Sequence, residues 1–324
     1  MSKTRIGFIG VGGIANRHLG VLEQFEDVEL VGFADPDFDR AVDAAARFGT
    51  RAYADHRALL DSSELDAVYV CIPPFAHGDA ERAVIARRLP LFVEKPLSLD
   101  LAVAEELAVS IEQAGLVTGV GYHWRYIDTV EEARQRLAHR PAQLVSGYWL
   151  DQTPPPQWWW RMDRSGGQMV EQTTHIIDLA RYLVGEVVQV FGLASHLDRD
   201  AFPGLDVPTA SIASLRFASG AVGNLASTSL LKWSHRVGLH LFGDGIALEL
   251  TDRDIMVDVG AGRPVLHAQS DPVFKEDRDF IDAVRGETNR IRCSYGEALK
   301  THRVALAINQ SVREGRALDI PAGR

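Results

Sequence analysis

Residues 5–15 read Arg-Ile-Gly-Phe-Ile-Gly-Val-Gly-Gly-Ile-Ala, a short apolar strand that turns on Gly10, Gly12 and Gly13 into a helix beginning with Ile14 and Ala15. A strand that passes through glycines straight into a helix lets backbone N–H groups and the helix N-terminus meet a pyrophosphate. Gly10 permits the tight turn, Gly12 the approach of phosphate, and Ala15 the packing of helix on strand. The next apolar run ends at Asp35, 20 residues beyond Ala15, where an acid can bind the adenosine ribose hydroxyls. A carboxylate there repels a 2′-phosphate, so NAD is the expected cofactor and NADP the less favoured one, with Arg40 as the nearby cation. The plainer reading is that Asp35 caps the turn Asp35-Pro36-Asp37, which leaves the preference open.

The rest of the first 122 residues alternates β-rich runs (5–9, 28–34, 67–72, 91–93 and 117–121) with amphipathic stretches, the rhythm of βαβ units around a parallel sheet. Beyond Tyr122 the pattern changes to one helix near 168–184 and strand-like runs at 187–197, 209–217, 221–230, 236–242 and 246–250. Helices follow at about 272–285 and 296–314. The expected fold is α/β. A Rossmann doubly wound parallel sheet over 1–122 precedes an α+β domain over 123–324 with a large, mostly antiparallel open sheet.

Thirty-four Lys and Arg against 44 Asp and Glu leave a net charge of −10, which repels phosphate backbones and anionic membranes. Neither nucleic acid nor a membrane is an expected partner. The two cysteines, Cys71 and Cys293, have no zinc or disulfide spacing, and Met1 leads almost directly into the first strand, so a cytoplasmic location is expected.

At strand C-terminal ends, where open α/β sheets bind ligands, stand Pro73, Pro74 and His77, and then Glu94-Lys95-Pro96. His77 can approach the nicotinamide or cap the helix that starts there. Further along come Gly121-Tyr122-His123-Trp124-Arg125, Trp160-Arg161 with Ser165-Gly166-Gly167, and Glu171-Gln-Thr-Thr-His175-Ile-Ile-Asp178. Together these segments resemble the family of glucose-fructose oxidoreductases, inositol dehydrogenases and related sugar dehydrogenases (Gfo/Idh/MocA type), across nearly the whole chain.

The resemblance implies an NAD(P)-dependent oxidoreductase of a sugar, sugar acid or inositol, with Lys95 as the catalytic lysine and Pro96 preceded by a cis bond. It maps the second catalytic position onto His175, with Glu171 where the family pattern has Asp. On one helix, Glu171 and Asp178 would both flank His175, and their roles are left open between them. The cofactor contacts are expected from Gly10, Gly12, Gly13, Ile14, Asp35, Pro73, His77, Glu94 and Lys95. The substrate would meet Lys95, Tyr122, His123, Arg125, Trp160, Glu171 and His175. Arg125 reads equally as a structural ion-pair residue, and Trp160 equally as a core anchor. No metal is expected, although Glu171, His175, Asp178 and His123 could converge on one. The alternatives are NAD-assisted glycoside cleavage on the same fold and a non-catalytic dinucleotide-binding regulator. Strands such as 210–215 and 238–242 are apolar enough to pack against a second subunit, giving a homodimer or tetramer.

Overall fold

The computed structural model describes residues 2–321, which divide into two compact units. In chain order the first part holds β1 (Thr4–Ile9), α1 (Gly13–Leu22), β2 (Val28–Ala34), α2 (Phe38–Phe48), β3 (Arg51–Tyr53), α3 (His56–Ser62), β4 (Ala67–Val70), α4 (Asp79–Ala86), β5 (Leu91–Val93), α5 (Leu101–Ala114) and β6 (Thr118–Val120). There follow α6 (Asp128–Leu137), β7 (Leu144–Gln152), α7 (Met162–Ser165), α8 (Gln168–Glu171), α9 (Thr174–Val184), β8 (Val187–Ser195), β9 (Ala210–Phe217) and β10 (Val222–Leu231). The chain ends with β11 (Arg236–Gly243), β12 (Ile246–Leu250), β13 (Asp254–Asp258), β14 (Val265–His267), α10 (Pro272–Val284), α11 (Tyr295–Glu314) and β15 (Leu318–Asp319). The strands β3, β7, β13, β14 and β15 and the helix α6 go beyond what the sequence pattern predicts.

The first unit comprises Met1–His123 and Asp271–Leu299. Its six parallel strands run in the order β3-β2-β1-β4-β5-β6, which reverses between β1 and β4, the place where such sheets bind dinucleotides. One face is covered by α1, α2 and α10 through Leu19, Ala45, Phe280 and Ile281, the other by α3, α4, α5 and the start of α11. Register places Phe8, Tyr69 and Phe92 side by side on β1, β4 and β5. Their rings stack at 4.8 Å, and Phe280 closes edge-on at 5.5 Å to Tyr69 and Phe92. Residues 271–299 therefore pack with the nucleotide-type sheet and not, as the expected 123–324 domain implies, with the second unit. The apolar stripe of α10 is the missing cover for that aromatic row.

The second unit comprises Trp124–Ser270 and Lys300–Arg324. Nine strands form one sheet in the order β14-β13-β12-β11-β7-β10-β9-β8-β15, antiparallel except for the β7–β10 pair. Alternation is strict on β9: Ala213, Leu215 and Phe217 face the core, while Ile212, Ser214 and Arg216 face out. The inner face packs on α6, α9 and the latter part of α11.

Candidate active site

In the first unit, Gly10 has φ +86°, and a Cβ there would lie 2.3 Å from the Cys71 carbonyl oxygen, so no other residue fits the turn without displacing backbone. At Gly12 and Gly13 a Cβ would meet nothing within 4 Å, and α1 starts with no side-chain cap. Open space over an uncapped helix N-terminus is the cradle a pyrophosphate needs, so the residues present fit a dinucleotide. Ile14 packs beneath the loop against the cluster of Phe8 and Leu19.

The buried Asp35 carboxylate accepts from Val11 N (3.0 Å) and Asp37 N (2.9 Å), tying the loop to the end of β2. The turn-capping role is thus real, and each oxygen keeps a lone pair for another donor. Arg40 pairs with Asp37 at 2.9 Å.

Pro73 opens a 3₁₀ turn after β4. His77 is buried, and its Nδ1 contacts Glu81, whose other oxygen accepts from Gly78 N at 2.7 Å. The cap on α4 is therefore Glu81, with His77 behind it, and not His77 itself. Although burial opposes it, His77 and the Gly78 N–H hold the Glu81 carboxyl below its ordinary value.

Lys95 stands two residues past the end of β5, and the Lys95–Pro96 bond is cis, as expected. Buried Glu94 accepts from Lys95 N at 3.2 Å. It also contacts His18, a residue the sequence reading passed over; the available signal was a histidine on the buried face of α1, between Ala15 and Leu22. Tyr122 packs in the core beneath β5 and β6. His123 is pushed down to about 4, chiefly by burial, with Arg17, Lys95 and His18 adding to the effect and Glu94 opposing it.

That shift has a testable sign. Between about pH 4 and the ordinary value of ~6.5 the unfolded chain binds a proton at His123 that the native chain refuses, so stability falls as pH drops through this window. His123→Gln should flatten the fall, sparing on the order of 2–3 kcal/mol at the acid end relative to wild type. Parallel pH dependence of denaturant midpoints in the two proteins would show the assignment wrong.

In the second unit the helix expected near 168–184 is broken. Thr173 N reaches back five residues to the Gln168 carbonyl (2.8 Å), His175 N bonds Gln172 O (3.2 Å), and α9 begins afresh at Thr174. The Gln168 side chain fixes the break by bonding Gln172 Oε1 and Thr228 O, each at 3.1 Å. Glu171 and His175 therefore do not share one helix face, which corrects the i, i+4 expectation.

Glu171 Oε2 accepts from Trp159 Nε1 at 2.8 Å, and Trp159 is fully buried. The His175 ring lies nearly parallel to Trp124 (6.3 Å, 23°) and Trp149 (6.0 Å, 22°), which set its plane. Asp178 does not act as a second flank for His175. It receives Arg125 Nε and a terminal guanidinium nitrogen, both at 2.7 Å, and the Thr301 hydroxyl at 2.7 Å. Arg125 thus has the ion-pair role, with its guanidinium 4.8 Å over the Tyr182 ring. Trp160 has core-anchor contacts: its Nε1 donates to Pro154 O (2.9 Å) and its ring meets Phe202 edge-on at 5.4 Å.

Among the described residues no group of three or more His, Cys, Asp or Glu side chains is arranged to hold a metal ion. Nor is any helix among them long and apolar enough to cross a membrane.

Residues 4–122 match the oxidoreductase family with an NAD-binding Rossmann fold, and residues 141–249 match the Gfo/Idh/MocA C-terminal domain. The myo-inositol 2-dehydrogenase of Thermotoga maritima is 31% identical over 245 residues, covering 74% of this chain and 72% of that protein. The chain belongs to the Gfo/Idh/MocA oxidoreductase family. Another member, the inositol 2-dehydrogenase of Rhizobium meliloti, is 26% identical over 336 residues, covering 98% of this chain and 99% of that one. Among solved Gfo/Idh/MocA-like folds, levoglucosan dehydrogenase in complex with NADH superposes with TM-score 0.87 at 19% identity, over 99% of this chain and 100% of that one. This Gfo/Idh/MocA protein is accordingly an NAD(P)-dependent oxidoreductase.

Proposed function

We propose that the protein moves hydride between NAD and a secondary alcohol or ketone of an inositol, sugar or sugar acid. The observation that carries this reading is Lys95, presented at the C-terminal end of β5 with its neighbour Glu94 anchored to α1, the helix that opens at the glycine loop. When bound, NAD supplies the hydride acceptor. The Lys95 ammonium stabilises alkoxide character on the reacting oxygen. His175, its ring plane set by two indoles, takes the hydroxyl proton and returns it in the reverse direction. Glu171, oriented by Trp159, binds a substrate hydroxyl or orients His175. Relatives named as inositol dehydrogenases support a polyol substrate.

NADH formation across a panel of inositols, aldoses and sugar acids tests the reading. Turnover of at least one class is expected, and silence across the panel despite tight NADH binding would turn the case toward glycoside cleavage or a regulatory role.

NAD is the cofactor in this reading because the Asp35 carboxylate, at the end of β2, would repel a 2′-phosphate, and the nearby cation Arg40 is already paired with Asp37. Placing like charges together costs several kcal/mol. The ratio of kcat/KM for NAD over NADP should therefore be at least about a hundredfold, and Asp35→Ser should narrow it. A wild-type preference for NADP would overturn this choice.

A reducing, cytoplasmic setting fits Cys71 and Cys293, both buried and neither in a disulfide. A homo-oligomer built on the outer sheet face fits the row Phe242–Leu144–Val222 across β11, β7 and β10, whose members are 37%, 43% and 47% exposed. A monomer by light scattering would remove that part of the proposal.

A further inference from the structure

Three ionisable side chains from three distant segments meet inside the first unit: His18 of α1, Glu94 after β5, and Asp277 of α10. All are at most 3% exposed. His18 Nδ1 lies 2.8 and 3.0 Å from the two Asp277 oxygens, and its Nε2 lies 3.1 Å from Glu94 Oε1. The Tyr69 hydroxyl donates to Asp277 at 3.2 Å.

A neutral imidazole has one N–H, so with a carboxylate at each nitrogen one lone pair would face an anion. Burial works against the charged ring, but the Asp277 carboxylate, and then Glu94, raise the proton affinity of His18 well above the ordinary range. Burial likewise pushes the Asp277 carboxyl up, held back by His18. Buried ion clusters of this kind add little net stability compared with apolar packing. What the cluster does supply is a fixed position for Glu94. A Cβ on Gly121 would fall 2.1 Å from Glu94 Oε1, so the carboxylate rests directly on that backbone, and its other oxygen accepts from Lys95 N.

We propose that His18, held between Asp277 and Glu94, is a positioning residue: it fixes the Glu94 carboxylate against Gly121 and thereby the point from which Lys95 is presented. The inference rests on Lys95 being the group that acts on substrate. Displacing a reacting group by about 1 Å costs on the order of a hundredfold in rate, and losing an outer partner of an active-site group typically costs 10–100-fold.

The test compares wild type, His18→Gln and Asp277→Asn in the full chain, with Lys95→Met as a separate control. On the fastest substrate of the inositol and sugar panel, kcat should fall roughly 10–100-fold in both positioning variants, with NADH Kd within about threefold. A crystal structure of His18→Gln should show Glu94 turned off Gly121 and Lys95 shifted by about 1 Å or more. In histidine-labelled wild type, nitrogen NMR at about pH 8, above the usual histidine value of ~6.5, should show one ring protonated on both nitrogens. That signal should be missing in His18→Gln.

Values of kcat within about twofold of wild type in both variants, an unmoved Lys95, or the absence of a doubly protonated ring would each overturn the proposal. So would a loss carried wholly by NADH Kd. If His18→Gln does not fold, Asp277→Asn and the wild-type spectrum still decide. Full activity in Lys95→Met would refute the catalytic assignment of Lys95 itself, whatever the His18 variants do.

Discussion

Replacing Lys95 by Met should lower kcat by roughly 10²–10³-fold, about 3–4 kcal/mol of transition-state stabilisation, while NADH binding stays within a few-fold of wild type. Methionine keeps the length and apolar stem of the side chain and removes only the ammonium, so the comparison isolates its charge. The loss belongs to kcat because the negative charge that Lys95 meets grows as the hydroxyl proton leaves in oxidation, or as hydride reaches the carbonyl carbon in reduction, and is small in the bound alcohol or ketone. Stopped-flow hydride transfer and NADH fluorescence titration on the same variant separate chemistry from binding. Unchanged kcat would remove Lys95 from the mechanism, and collapsed NADH affinity would make it a cofactor anchor.

Asp178→Ala should be the most destabilising single change in the second unit. The Arg125 guanidinium it leaves behind is 2% exposed, with no solvent to take the place of the carboxylate. Breaking one side of such a pair costs about 3–5 kcal/mol, which for a unit of this size lowers Tm by roughly 10 °C. Thr301, which donates to Asp178 and accepts from Arg181 at 2.6 Å, loses its acceptor in the same change. The double variant Arg125→Met/Asp178→Leu should recover most of the loss, since apolar pairs of similar volume often match a buried ion pair. Melts of the variants check both statements; a Tm within about 2 °C of wild type for Asp178→Ala would show the pair to be dispensable.

The parts of the molecule that were legible in the sequence are those written in local chemistry. Gly10 is required by a positive φ and a carbonyl at its α-carbon, and the strand, turn and helix around it are contiguous. Asp35, Lys95 and the cis Pro96 stand at strand ends that hydrophobic runs mark out. The illegible parts depend on partners far along the chain. The break between α8 and α9 is made by Gln168 reaching Thr228, and no propensity at Gln172 or Thr173 announces it. Arg125 and Asp178 each suited two roles until their 2.7 Å pairing chose one. His18 and Asp277 each carry a weak signal, an ionisable residue on an otherwise apolar helix face, but 259 residues separate them. The short strands β3, β14 and β15 have three, three and two residues, too few for a periodicity to register.

The return of residues 271–299 to the first unit also sets an order of events on the ribosome. A nascent chain that has emerged to residue 122 has all six strands of that sheet but lacks α10, so the Tyr69 and Phe92 rings have no lid and the His18 imidazole has Glu94 but not Asp277. The roughly 150 residues still to come occupy about 7–30 s at ordinary elongation rates. Through that interval the amino-terminal part is an unfinished, sticky intermediate that a chaperone would hold, and it closes only when the carboxyl-terminal segment is delivered.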